Sequence, residues 1–507
     1  MTHTDIGIVS TAHSCAHGPM AFVPIVAALI VAGCTVGPDF KKPAPPEVSG
    51  YTAEKLTKTE SANVPGGEAQ TFTQGGEIAA DWWTLFHSRT LNDLIEKAIA
   101  NSPDLKAAQA ALRVAHENTA AQRGAYYPNV SAGFSAARYS QAGTLAPVPN
   151  NNAFEYNLFT PQVTVSFVPD VFGLNRRMVE SLHAQERGTH YQMMATYTTL
   201  TSNVVVAAIQ QASISEQIKA TEGMIAEETR SVEILRLQLQ KGYASGVDLA
   251  AQESQLAQAK ATLPPLIKQA AQLHDQLAVL CGQFPVQAPA PNLDLENLQL
   301  PQNIPVSLPS TIVSQRPDIL QAQENLHAAN ANIGVAIANR LPNIELTGNA
   351  GSTALAIGQV FAPGTGFWSL GATLTQPIFE GGKLLHEERG ARAAWQQAAA
   401  QYRSTVLAAF QNVADSLVAL QEDADALQTA ATADESAKVT LDLTQRQVKD
   451  GHSGYLSLLT AQEASQQAHI SLLQAQASRY ADTAALFQAL GGGWWHRTDL
   501  VTTLDPG

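Results

Sequence analysis

Asn101-Ser102-Pro103-Asp104-Leu105 is echoed later in the chain by Gln315-Arg316-Pro317-Asp318-Ile319. Tyr127-Pro128-Asn129-Val130 and Leu341-Pro342-Asn343-Ile344 then lie at one shared interval, 25 residues from Pro103 to Pro128 and 25 from Pro317 to Pro342. Proline in a first turn and aspartate beside it suit a helix N-terminus, where the proline lacks only an N–H that would be unpaired anyway and the carboxylate meets the positive end of the helix dipole. Two motifs at one spacing mark an internal duplication.

Working outward, both copies change from helical to alternating periodicity after the second proline. Val130 to Tyr139 and Tyr156 to Val168 read as strands around a Pro/Asn/Gly-rich loop, Gln141 to Asn152. Ile344 to Ser352 and Phe367 to Ile378 repeat the hairpin. Their mixed character suits strands with one face in lipid and the other in water. The hairpins close with Val171-Phe172-Gly173 and Ile378-Phe379-Glu380-Gly381-Gly382.

A long helix follows each hairpin. Leu200, Val204, Ala207, Ile214, Ile218, Ile225, Val232, Leu235 and Leu239 keep a 4-3 spacing, as do Val406, Phe410, Val413, Leu417, Leu420, Ala424, Leu427 and Ala431. Such spacing is a coiled-coil seam. Asn175 to Lys241 is 67 residues, about 100 Å of helix at ~1.5 Å per residue. Both helices stop at glycine, in Lys241-Gly242-Tyr243-Ala244-Ser245-Gly246-Val247-Asp248 and in Asp450-Gly451-His452-Ser453-Gly454-Tyr455-Leu456-Ser457. Glycine tolerates the left-handed conformation that ends a helix. Returning helices carry Leu273, Leu277 and Leu280, then Leu472, Leu473 and Leu486, and Pro264-Pro265 should kink the first of them.

The beginning of the chain reads differently. A short apolar run from Ala21 ends in Val31-Ala32-Gly33-Cys34, the pattern of a bacterial lipoprotein signal with Cys34 as the lipid attachment point. The run is too short for a permanent membrane helix. Residues 1–33 contain no Lys or Arg, so the usual basic start of a signal peptide is missing. No long apolar segment follows Cys34, which excludes conventional transmembrane helices. The net charge of −14 argues against nucleic acid as a partner. With Cys15 removed and Cys34 acylated, only Cys281 remains, a core residue at a helix end rather than part of a disulfide framework.

Chemistry-bearing motifs are absent. His183 and His190 have no paired ligands in sequence, so no metal is expected. Gly491-Gly492-Gly493 lacks the Lys-Ser/Thr of a phosphate-binding loop. No serine sits in a nucleophile elbow, and no enzyme is expected. The expected cofactor set is empty apart from covalent lipid on Cys34.

Strand count then constrains assembly. Two hairpins give four strands, a closed transmembrane barrel needs about eight or more, and an open sheet edge cannot sit in lipid. Three copies would supply twelve.

These residues, in this order, resemble an outer membrane factor of the TolC type, in its lipid-anchored NodT-like branch of efflux lipoproteins. The resemblance rests on Cys34-Thr35-Val36-Gly37-Pro38-Asp39-Phe40 with Pro43, and on Asp81-Trp82-Trp83 with Phe86, Leu91 and Leu94. Both Pro-Asp starts, both strand-entry prolines, Gln376-Pro377-Ile378-Phe379 and Ala489-Leu490-Gly491-Gly492-Gly493-Trp494 complete it. It implies a mainly α fold with a β-barrel part: a homotrimer whose 12-stranded barrel in the outer membrane continues into a periplasmic α-helical coiled-coil barrel. The expected layout is a signal peptide at 1–33, a lipidated extended segment at 34–85, repeat one at 86–290, a linker at 291–308, repeat two at 309–495 and a tail at 496–507.

The resemblance further implies a passive exit duct for small molecules, served by a periplasmic adaptor protein and an inner-membrane pump of the resistance-nodulation-division class. Gly242, Ser245, Gly246, Gly451, Ser453 and Gly454 match the helix turns that contact the adaptor. Asp248 matches an acidic gate position, whereas Ser457 and Thr460 stand where family members often carry aspartate. A type I protein-secretion duct, or a lipid-anchored coiled-coil scaffold without a pore, are the alternatives.

Overall fold

The computed structural model describes residues 35–54, 56–140, 155–289 and 293–497. The signal segment 1–33, Cys34, the loop Gln141 to Asn152, the first residues of the linker and most of the tail lie outside the described residues.

The duplication is visible in the element order. Repeat one runs through α2 (Pro103–Arg123), β2 (Asn129–Ser140), β3 (Glu155–Phe167), α3 (Leu174–Gln240) and α4 (Gly246–Leu280). A short helix, α1 (Arg89–Asn101), opens that repeat, and a strand, β1 (Thr71–Gln74), precedes it. After β4 (Asn303–Val306), repeat two opens with α5 (Pro309–Gln315) and runs through α6 (Pro317–Ala338), β5 (Asn343–Ser352), β6 (Gly366–Thr375), α7 (Lys383–Lys449) and α8 (Tyr455–Ala489). The long helices have 67 residues in both copies and the returning helices 35.

Local chemistry explains the boundaries. Pro103 and Pro317 are the first helical residues of α2 and α6. Ser102 Oγ accepts the Leu105 N–H in the first copy, and Asp318 accepts the Ile319 N–H in the second. The alternating pattern continues to Ile378, but β6 stops at Thr375. Pro377 has no N–H to give a neighbouring strand, and the Gln376 amide turns aside to donate to Arg340 O at 3.0 Å. Pro264 and Pro265 fall inside α4 without ending it. Each lacks an N–H, so the helix forgoes their backbone bonds while continuing.

The chain folds as two compact units that cut across the repeats. One comprises Ala120–Ser181, Asn330–Ala393 and the described part of Met1–Asp39; the other comprises Phe40–Thr119, Leu182–Ala329 and Ala394–Gly507 as far as described. The first holds an antiparallel sheet in the order β2-β3-β5-β6.

The second holds the helical seams and a mixed core. Leu200, Val204, Ala207, Ile214, Val232 and Leu235 are buried, as are Val406, Val413, Leu417, Leu420, Ala424 and Leu427. Leu239 is exposed, so the first seam gives out just before the turn. Trp82 stacks on Phe487 with centroids 5.1 Å apart, and Trp83, Phe86 and Tyr480 are buried beside them. Burying side chains of this size contributes about 1.5–3 kcal/mol each. The N-terminal segment joins the linker through a parallel pairing of β1 with β4. Gln70 fastens that pair by donating to Pro301 O and Thr483 Oγ1.

Gly493 has a φ of 69°, and a Cβ there would stand 2.3 Å from Ala79 O. The glycine run is thus a close backbone crossing. Cys281 is the C-terminal cap of α4, buried, with Sγ 3.6 Å from Leu94 O. Burial pushes its thiol pKa up, which keeps it an unreactive core group.

Candidate functional site

The sheet separates its residues by chemistry. Val130, Ala132, Phe134 and Ala136 on β2 oppose Val165, Val163, Pro161 and Phe159 on β3. Val163 and Val165 in turn oppose Ala350 and Gly348 on β5, and Leu346 on that strand opposes Ala372 on β6. Directly opposed residues share a face, so one face is apolar across all four strands except at the loop end of the first hairpin, where it carries Arg138, Ser140, Glu155 and Asn157. The other carries Ser131, Ser135, Thr160, Gln162, Thr164, Ser166, Thr347, Asn349, Ser369 and Thr373. Within the chain the apolar face is uncovered: Trp368, Leu370 and Leu374 are 75%, 80% and 66% exposed. Tyr139, Tyr156, Leu158 and Phe367 break the polar face, all towards the hairpin-loop ends of their strands.

Strands β2 and β6 are the sheet edges, each with an unpaired row of backbone groups. Water on one face, lipid on the other and edges that must find partners are the requirements of a segment of a membrane barrel.

The residues after Cys34 are fixed in the same unit. Arg177, whose side chain is 4% exposed, donates to Val36 O at 3.0 Å and to Asp39 Oδ1 at 2.8 Å, and also to Glu180 at 2.7 Å. Val36 N donates to Phe172 O, and the Asn330 amide donates to Pro38 O at 2.8 Å. Gly37 has a φ of 94° and lies so close to Gly334 that a Cβ would meet its Cα at 2.5 Å. Thr35 to Asp39 is a pinned strap, and Arg177 was not legible in the sequence as its clamp.

The two turns share a stop and differ in their start. After α3, Gly242 N donates to Leu239 O and Tyr243 N to Gln238 O; after α7, Gly451 N donates to Val448 O and His452 N to Gln447 O. Both glycines have φ of 75° with open space around them. Glycine is needed for conformation alone, and the same bond pattern stops both helices. The following start in repeat one is a capping box: Ser245 Oγ accepts the Asp248 N–H, while Asp248 Oδ2 accepts from Ser245 N at 3.1 Å and Ser245 Oγ at 2.7 Å. The Ser245 hydroxyl and N–H hold the Asp248 pKa below its ordinary 3.8.

In repeat two Gly454 occupies the cap position and supplies no side-chain bond. Ser457 and Thr460 are exposed, and Thr460 Oγ1 donates to Leu456 O on its own helix. Gly246 opens α4 and Ser453 lies in the second turn. Beside them apolar Tyr243, Val247 and Leu456 project 85%, 77% and 71% exposed.

One contact joins the two returning helices near these turns. Tyr455 OH donates to Oε1 of buried Gln252 at 2.7 Å. Sequence reasoning missed Gln252 and quoted Tyr455 only as a turn neighbour; an aromatic at the first position of the returning helix was the available signal. Among the described residues no three His, Cys, Asp or Glu side chains converge as a metal site. His183 lies 3.4 Å from Glu186, and His190 packs on Tyr191 and Trp494.

The sequence profile of one family, described as outer membrane efflux protein, matches residues 94–283 and 308–492. The chain is 29% identical over 477 residues to the toluene efflux pump outer membrane protein TtgC of Pseudomonas putida, covering 93% of this chain and 95% of that one. It is 26% identical over 475 residues to the cation efflux system protein CusC of Escherichia coli, covering 94% and 100%. The solved outer-membrane channel OprN superposes with a TM-score of 0.80 at 23% identity, covering 91% of this chain and all of that one.

Proposed function

The chain belongs to the outer membrane efflux protein family, and on that premise we propose that three copies join their sheets edge to edge into a twelve-stranded barrel that serves as the passive exit duct of a tripartite efflux system. The protein is an efflux channel of the outer membrane that extends into the periplasm. The observation that carries the duct reading is the sheet, with one apolar face, one polar face and both edges open. A scaffold without a pore would have to leave that apolar face in water, and four strands alone are too few to close.

Within this reading each region has a role. Cys34 carries the lipid, and the Arg177-clamped strap after it fixes where the acyl chains start relative to the sheet unit. The turns at Gly242, Ser245, Gly246, Gly451, Ser453 and Gly454 receive a periplasmic adaptor, with exposed Tyr243, Val247 and Leu456 as the apolar contacts. The adaptor links the duct to an inner-membrane pump of the resistance-nodulation-division class. Asp248, Ser457 and Thr460 line the periplasmic gate, where Asp248 supplies one fixed negative charge per chain and repeat two supplies hydroxyls. The Tyr455–Gln252 bond holds the two returning helices together in the closed state.

Purified full-length protein in a planar lipid bilayer tests the reading. It predicts discrete conductance steps from an oligomer whose gel mobility changes on boiling. A monomer that inserts no conductance and shows no such change would overturn it.

A further inference from the structure

We propose that a cavity among α3, α7 and α8 binds a small lipophilic ammonium ion with the Glu228 carboxylate as counter-ion. The cavity has a volume of about 420 Å³, within the ~300–1,000 Å³ usual for small-molecule sites. Glu228 is 1% exposed, lines the cavity, and neither of its carboxylate oxygens has a hydrogen-bond partner. A buried carboxylate is ordinarily paired or neutral, because removal from water penalises its charged form.

The lysine on this cavity's wall is engaged elsewhere: Lys438 Nζ lies 2.6 Å from Asp434 Oδ2. The His469 ring also lines the cavity, with Nδ1 3.3 Å from Asp434 Oδ1. The remaining charged groups facing Glu228 are acidic: Glu227 on its own helix and Glu463 on α8. Tyr455 on α8 completes the titratable set near it. An anion would therefore be repelled. The walls select further: Met224 and Leu441 offer apolar contact, while Gln462, Ser465 and Gln466 offer hydrogen bonds. Mixed walls around a buried, unpaired carboxylate fit a hydrocarbon bearing an N–H cation, and no three metal-ligating side chains converge there among the described residues. Gly223 lines the cavity, and a Cβ there would meet nothing within 4 Å, so a larger side chain can be placed there without a clash.

Burial, with Glu463 adding, pushes the Glu228 pKa up from 4.5 to about 7. The ammonium pairs with the ionised form, so affinity is full above that pKa and declines as pH falls through it.

Isothermal titration of the full-length protein in non-ionic detergent, with empty micelles as blank, tests this with phenethylammonium, which stays charged throughout. The expected result is saturable binding near one per chain at pH 8, about tenfold weaker at pH 6. Uncharged 2-phenylethanol should bind at least tenfold more weakly at pH 8. Glu228→Gln should lose at least tenfold in affinity together with the pH dependence. Gly223→Leu should fill the cavity and abolish binding with Glu228 intact, and it decides the matter if the first variant fails to fold. Unchanged binding by either folded variant, equal binding of the alcohol, or no saturable binding by the wild type overturns the proposal. None of these readouts requires conductance, so the duct reading stands or falls separately.

Discussion

The duplicated sheet and the duplicated turns have kept different things. In the sheet both copies preserve the face pattern: Val130, Ala132 and Phe134 in one, Trp368, Leu370 and Ala372 in the other, each alternating with small or polar residues. At the turns both copies preserve the left-handed glycine, yet only the first follows it with a capping box. Lipid makes the same demand of every strand it touches, so neither copy is free to lose the alternation. A turn outside lipid meets no such uniform demand beyond ending one helix and beginning another. Its cap and its charge can diverge once glycine has set the backbone.

The largest expected effect tests the sheet half of this contrast. Leu370→Arg on the apolar face should cost about 2–4 kcal/mol per chain if that position lies near mid-bilayer, whereas Ser369→Arg on the other face should still assemble. Recovery of heat-modifiable oligomer in the outer membrane fraction reads both. Equal loss would mean that the two faces meet the same surroundings.

Next in size is Tyr455→Phe. It leaves buried Gln252 Oε1 without its donor, a loss of roughly 1–3 kcal/mol. Lower thermal stability and more frequent opening in single-channel records are expected; an unchanged record would remove this bond from the gate.

Gly242→Ala and Gly451→Ala should each cost about 1–2 kcal/mol and, if the shared stop is equivalent in both copies, should cost the same. Denaturant titration of the two single variants measures the difference.

The smallest effect separates the starts. Ser245→Ala should cost about 1 kcal/mol, while Ser453→Ala, which removes no cap, should stay within about 0.5 kcal/mol. The Asp248 pKa is depressed in the fold, so its contribution is present above the ordinary 3.8 and lost as pH falls through the folded value. The Ser245→Ala penalty should therefore shrink in strong acid. A penalty that grows there would contradict the capping box.

Much of the fold was legible because its signals are local and repeated. The paired prolines, the seam spacing and the turn glycines each act within a few residues, and the duplication lets one copy check the other. The apolar face of the sheet was readable strand by strand, but its continuity depends on register, which joins residues such as Val163 and Ala350 far apart in the chain. Arg177, Gln252 and Glu228 were missed for a related reason. Each sits on a long helix among similar polar residues, and only the folded chain shows that one grips the strap, one accepts a tyrosine and one has no partner. Asp248 was found by its position, but its bond to Ser245 was not.

The parallel pairing of β1 with β4 also bears on the order of events during biosynthesis. Gln70 finds its two acceptors 231 and 413 positions further along the chain. Contacts so distant in sequence form slowly and late. The N-terminal segment therefore cannot complete its own packing until nearly all of repeat two has emerged, so a chain truncated before Thr483 would expose the surface that this splint covers. Periplasmic chaperones and proteases would then meet the Gln70 segment as an early marker of unfinished protein.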